Sequence, residues 1–264
     1  MEYRMDMIKI TAVSYLNTKP LLYGLFKNEI AKDIELQLDI PSECARKLRD
    51  GEVDLGLVPV AIIPEIADAK IISDYCIGAD GAVKTVGIFS HSPLEDLTEI
   101  YLDFHSRTSV ELARILVEQH WKCTPNFIPA TAGYIEQIQG STGGVIIGDR
   151  TMGLHEKFSY FYDLGSAWME FTGLPFVFAA WVSRRPLPST FVDQFNRALK
   201  MGIDAVPELT YILPQPSSGF DLKEYFTRYI SYELDTSKKQ ALKLFLQYLT
   251  RQKEKDADSF SFSR

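Results

Sequence analysis

The period of the apolar positions changes repeatedly along the chain. From Ile8 to Val13 apolar, β-branched residues alternate with polar ones, which predicts a strand; from Pro20 the apolar set Leu21, Leu22, Leu25 and Phe26 takes helical spacing. The loop Ser14–Lys19 lies between them. Glu35 to Ile40 predicts a second strand, and Pro41-Ser42 opens a helix to Asp50 with Ser42 as its cap and Gly51 as its stop. Val53 to Val60 reads as a third, largely buried strand.

A related plan follows. Ile100 to Asp103 predicts a strand, His105 to Thr108 a polar loop, and Ser109 to Trp121 a helix with Val110, Ala113, Val117 and Trp121 on one face. Thr108 and Glu111 have the spacing of a capping box. After a strand at Asn126 to Ile128, a helix is expected from about Ala132 to Gln139. Glycines at 140, 143 and 144 then lead into the strand Val145-Ile146-Ile147 and Gly148-Asp149. The repetition is one of architecture, without letter-for-letter identity.

Two apolar segments, Thr85 to Ser90 and Leu174 to Ser183, read as strands crossing between two lobes. The expected organisation is a two-lobed α/β protein, with residues 1–90 and 184–264 in the first lobe and 91–183 in the second. The last third predicts helices at Thr190 to Ala205, Leu222 to Tyr232 and Ser237 to Lys253, then a loosely held polar tail, Glu254 to Arg264.

Composition narrows the function classes. The 264 residues are 46% hydrophobic and 24% charged, ordinary values for a globular protein with room for one or two cores. A net charge of −7 provides no basic stripe, so neither nucleic acid nor an anionic membrane surface is an expected partner. The N-terminal segment has no signal-like apolar core and no later run approaches a membrane span, so a cytoplasmic protein is expected. Cys44, Cys76 and Cys123 lack metal-ligand spacing and read as structural thiols.

In parallel α/β sheets ligands collect at the carboxyl ends of strands, beside helix N-termini. The loop Ser14–Thr18 and the loop Ser106–Ser109 both occupy such places, and facing lobes would let them grip two ends of one small dicarboxylate. Ser106, Thr108, Ser109 and the Asn17 amide offer directional hydrogen bonds without charge. Each has a plainer reading. Thr108 caps its helix, Arg107 makes a surface or interlobe ion pair, and Asn17 forms a turn beside Pro20. Asp149 touches ligand or caps the next segment. His105, beside the serine loop, is the one candidate acid–base histidine among four. Of the aromatic run from Trp168 to Trp181, Phe176 is the ring expected to leave the core for the cleft. The sequence contains no G-x-S-x-G, HExxH, P-loop or GxGxxG, so cofactor chemistry is not expected and no metal is assigned.

Three segments together, Ser14-Tyr15-Leu16-Asn17-Thr18-Lys19-Pro20-Leu21, Ser106-Arg107-Thr108-Ser109 and Thr172-Gly173-Leu174-Pro175-Phe176-Val177-Phe178, resemble the chorismate dehydratase family of the futalosine route to menaquinone. Gly51 to Pro59 and Gly148-Asp149 extend the likeness over roughly residues 8 to 250. The resemblance implies a type II periplasmic-binding-protein-like fold with a ligand cleft between lobes. It also implies a cofactor-free hydro-lyase that converts chorismate to 3-[(1-carboxyvinyl)oxy]benzoate and water, acting as a monomer or homodimer. It assigns catalysis to Asn17 and substrate contact to Ser14, Tyr15, Asn17, Gly81, Ser90, Ser106, Arg107, Thr108, Ser109, Asp149 and Phe176. The proton acceptor stays open between the substrate's own enolpyruvyl carboxylate and His105. The alternatives are a sister enzyme that forms 1,4-dihydroxy-6-naphthoate and a non-catalytic binding protein for an aromatic carboxylate.

Overall fold

The structure, a computed structural model, describes residues 7–217 and 219–261, with side chains to residue 255. Residues 1–6 of the expected first lobe and 262–264 of the expected tail lie outside the described residues. The chain opens as β1 (Ile8–Val13), α1 (Lys19–Lys27), β2 (Ile34–Asp39), α2 (Pro41–Asp50) and β3 (Leu55–Pro59). β1 lies parallel to β2 on one side and β3 on the other. The α2 helix begins on Pro41, whose fixed φ and missing N–H suit the first helical position, so Ser42 sits inside the first turn and is not the expected cap. Gly51, in the left-handed conformation, stops the helix as expected.

After β4 (Lys70–Ala79) the chain crosses to a second sheet: β5 (Val86–Ser90), β6 (Glu99–Leu102), α3 (Arg107–Gln119), β7 (Asn126–Pro129), β8 (Thr142–Ile147) and β9 (Tyr160–Asp163). It returns through α4 (Leu164–Thr172) into β10 (Phe176–Ser183). The remainder is α5 (Ser189–Asp204), α6 (Val206–Ile212), α7 (Leu222–Glu224), β11 (Ser231–Glu233) and α8 (Thr236–Ser261).

The sheets have the orders β2-β1-β3-β10-β4-β11 and β7-β6-β8-β5-β9. In each, three parallel strands are followed by one antiparallel strand that has just crossed from the other lobe. Val86–Ser90, expected to close the first lobe, is therefore inside the second sheet, and Phe176–Ser183, expected to end the second lobe, is inside the first. The segments that actually cross are 80–85 and the turn around Gly173.

The first crossing segment is tied at both ends. Asp80 pairs with the fully buried Lys238 of α8 at 2.7 Å and accepts from Ser231 Oγ at 2.9 Å. Further on, the Asp163 carboxylate of the second lobe accepts from the N–H groups of Val83 (3.0 Å) and Lys84 (2.7 Å).

Three helix expectations change. Residues 132–139 form only a 3₁₀ turn, Tyr134–Gln137, because the Tyr134 ring is drawn into the core and its hydroxyl donates to Val145 O. The expected helix Leu222 to Tyr232 tightens to α7, widens into a π-type turn that buries the adjacent rings Tyr225 and Phe226, and ends as β11 on the edge of β4. The expected polar tail continues α8 through Ser261. In the C-terminal third, α5 packs so closely on α1 that a Cβ on Gly24 would stand 1.9 Å from the Ala198 carbonyl oxygen.

Candidate functional site

The Ser14–Thr18 loop takes its shape from two prolyl and strand-end constraints. Ser14 N still bonds to Asp39 O, continuing the β1–β2 ladder at 3.2 Å, and then residues Leu16–Thr18 wind into a 3₁₀ turn that runs directly into α1 with Pro20 in its first turn. This turn is held from the opposite lobe. Leu16 N donates to both carboxylate oxygens of Asp149 (3.1 and 3.3 Å), and the Tyr15 hydroxyl is hydrogen-bonded to His105 Nδ1 at 2.9 Å. Gly148, at φ +62°, is required twice over: any Cβ there would meet the Tyr15 ring at 3.0 Å.

On the second lobe, Ser106 is the N-cap of α3. Its oxygen accepts weakly from Ser109 N (3.5 Å) and from Ser109 Oγ (3.3 Å), so both hydroxyls retain hydrogen-bonding capacity. Behind them Asp103 is buried. It accepts from His105 N (2.6 Å), lies 2.9 Å from the Tyr134 hydroxyl, whose one proton it shares with Val145 O, and is ion-paired with Arg150.

Burial, opposed by Arg150, pushes the Tyr15 phenol up to about 12, and burial together with Arg150 lowers His105 against the pull of Asp103. A protonated phenol facing a neutral imidazole completes the contact between them. Burial raises the Asp149 carboxyl above its ordinary value despite the opposing Leu16 N–H and Lys19.

Between the loops lies a cavity of about 50 Å³, lined by Tyr15, Asn17 and Thr18 on one side, Ser106, Ser109 and Gly148 on the other, and Val13, Pro59, Val86 and Phe178 at its apolar walls. That volume admits a few waters; sites for small molecules usually need ~300–1,000 Å³. The lobes are closed on each other. A roomier outer cleft of about 470 Å³ lies against Lys84, His155 and Tyr229, where Lys84 sits over the Tyr229 ring and Glu224 pairs with Arg228.

The expected site residues divide accordingly. Tyr15, Asn17, Ser106 and Ser109 converge on the cavity. Ser14 is exposed outside it. Thr108 is buried between the lobes, where its hydroxyl accepts from Ala61 N at 3.1 Å, and Arg107 is an interlobe surface pair with Glu65 at 3.5 Å. Asp149 spends its carboxylate on Leu16. Gly81, at φ +116°, belongs to the crossing segment and is not among the lining residues. Ser90 is corrected most firmly: β5 runs away from the cleft, so Val86 reaches the cavity and Ser90 ends at the far side of the sheet, bonded to Ser92 O. Phe176 is also corrected. It is core, wedged among Trp168, Phe178 and Phe245, and Phe178, at the register shift between Val177 and Ala179, reaches the cavity wall instead.

Sequence reasoning missed Asp103 and Arg150, whose only signal is a carboxylate at a strand end and a cation after Gly148-Asp149. It also missed Thr18, which lines the cavity, and Tyr232, whose hydroxyl reaches the Asn17 carbonyl from behind the loop.

The twin sheets, each holding a strand returned from its neighbour and facing each other across a closed cleft, define a protein with the periplasmic-binding-protein-like fold. Solved structures agree on the fold. An Archaeoglobus fulgidus protein superposes with a TM-score of 0.72 at 17% identity, covering 96% of this chain and 99% of its own. A Candida albicans protein described as having the generic periplasmic binding protein fold gives 0.57 at 14% identity, covering 91% and 90%. The model of a menaquinone biosynthesis family matches residues 8–251, and the chain belongs to that family. A chorismate dehydratase of Thermus thermophilus is 28% identical over 190 residues, 64% of this chain and 69% of the relative. One of Campylobacter jejuni is 29% identical over 148 residues, 55% of this chain and 66% of the relative.

Proposed function

We propose that this chain is a chorismate dehydratase, releasing water from chorismate to leave 3-[(1-carboxyvinyl)oxy]benzoate. The observation that carries the reading is the meeting of Asn17 with Ser106 and Ser109 across one cavity, in a chain of the menaquinone biosynthesis family. The two relatives named for this activity support it.

The reaction removes the C3 proton and the C4 hydroxyl; the two combine as water and the ring becomes aromatic. Aromatisation supplies much of the driving force, so positioning and polarisation suffice, and the reaction asks for no cofactor. In this reading the Ser106 and Ser109 hydroxyls, with the first N–H groups of α3, hold the ring carboxylate, since neutral donors at a helix N-terminus suit an anion. The Asn17 amide addresses the departing hydroxyl. We assign the proton to the substrate's own enolpyruvyl carboxylate, because His105 uses Nδ1 on Tyr15 and is not a cavity-lining residue. The lobes must part to admit substrate and close again around it.

Purified protein incubated with chorismate should yield an aromatic product one water lighter by mass spectrometry. Asn17→Ala should lose turnover at least a hundredfold while staying folded. His105→Ala, which removes one hydrogen bond worth about 1 kcal/mol, should stay within roughly fivefold of the parent. Tight binding of unchanged chorismate would overturn the enzyme reading in favour of a binding protein.

A further inference from the structure

Asn17 sits in a turn whose own hydrogen bonds cannot hold it. In the 3₁₀ winding, Thr18 N bonds to Tyr15 O at 3.1 Å and Lys19 N bonds to Leu16 O. The next bond in the series would run from residue 20 to the Asn17 carbonyl. Residue 20 is proline, which has no N–H. The Asn17 carbonyl is therefore deprived of its local donor at the point where the 3₁₀ turn hands over to α1, and a backbone acceptor enclosed by protein needs another.

That donor comes from 215 residues away. The Tyr232 hydroxyl donates to Asn17 O at 2.8 Å. Tyr232 is buried, 6% exposed, and its burial pushes the phenol well above its ordinary value, so it remains a donor at any working pH. Its place is fixed by β11. Ser231 pairs with Gly78 and Glu233 with Tyr75 across the β4 edge, which turns Tyr232 to the other face of the strand. Ser231 Oγ and Lys238 both hold Asp80, so β11 is anchored on each side of the crossing segment. The neighbouring peptide of the turn is held differently, by Asp149 of the opposite lobe, and that tie exists only with the lobes closed. The Tyr232 bond lies within the first lobe, so parting of the lobes does not by itself break it.

We propose that Tyr232 is a positioning residue for Asn17, holding its peptide in place through opening and closure; this rests on the dehydratase reading above for the role of Asn17. Tyr232 touches no substrate. Its effect passes through Asn17, where an error of about 1 Å costs up to a hundredfold in rate.

The test is Tyr232→Phe, which keeps the ring and removes the hydroxyl, alone and combined with Asn17→Ala. The single variant should lose ten- to a hundredfold in kcat with KM changed less than threefold. In the Asn17→Ala background the same change should cost less than twofold, since the residue it serves is gone. Amide hydrogen exchange of residues 14–19 without substrate should quicken in Tyr232→Phe. An unchanged kcat, or an equal loss in both backgrounds, overturns the inference. If the parent protein forms no product at all, the dehydratase reading fails by itself, and the exchange measurement still decides: unaltered protection of residues 14–19 refutes the positioning role.

Discussion

Asp149 shows how far a single residue's role depends on what reaches it. At the end of a buried strand it suits ligand contact or, somewhat better, a cap on the next segment; its carboxylate crosses the cleft to Leu16 N, and burial raises its pKa. For a carboxyl with a raised folded-state pKa, the stability contribution is fully present below the unfolded value of about 4 and is lost as pH rises through the folded value. Asp149→Asn removes this cost and keeps one oxygen for Leu16. The variant should gain in Tm relative to the parent as pH is raised from 4 to 7, with the difference vanishing at the acid end. A parent that instead gains on the variant over that window would show that the Leu16 bond outweighs burial. Cys44 and Cys76 follow the same physics: burial pushes both thiols up to about 12, as structural thiols require.

Among elements, α1 and α5 carry the sharpest packing constraint. Gly24 lies in mid-helix, where alanine would ordinarily be favoured by about 1 kcal/mol. Here the added methyl meets Ala198 O at 1.9 Å, and Gly202 meets Pro20 O in the same way. Overpacking of this kind costs about 1–3 kcal/mol, so the clash wins over propensity. Gly24→Ala should lower the denaturant midpoint; a rise would mean that α5 can slide away. The same contact steadies the start of α1, and with it the 16–18 turn. Strand expectations fared better than short helices. β1 needed only its own alternation, whereas 132–139 lost its helix to one inserted ring, Tyr134, that helical spacing could not foresee.

For the whole molecule the decisive feature is closure. Among the described residues, three contacts join the lobes at the cleft through hydrogen bonds: Leu16 to Asp149, Tyr15 to His105 and Ala61 N to Thr108 Oγ1. The last is the most enclosed, with Thr108 fully buried and Ala61 1% exposed. The Arg107–Glu65 pair is half exposed and contributes little. Thr108→Val keeps the shape and strands the Ala61 N–H, at a cost of about 1–3 kcal/mol to the closed form alone. Small-angle scattering should then report a larger radius of gyration, and the Ala61 amide should exchange faster. Unchanged scattering and exchange would place the hold elsewhere in the interface.

The chain's own pattern determined the strands, the long helices and the two strand–loop–helix units, because period and capping act over a few residues. It also marked Asn17, Ser106 and Ser109, since helix N-termini after parallel strands are where ligands gather. It was unable to fix which sheet a crossing strand joins, and so placed β5 and β10 in the wrong lobes. The tertiary structure alone decided the partners of Asp149, Thr108 and Tyr232. Their bonds span 133, 47 and 215 residues, and a hydrogen bond at that separation leaves no periodic trace in the segments that make it.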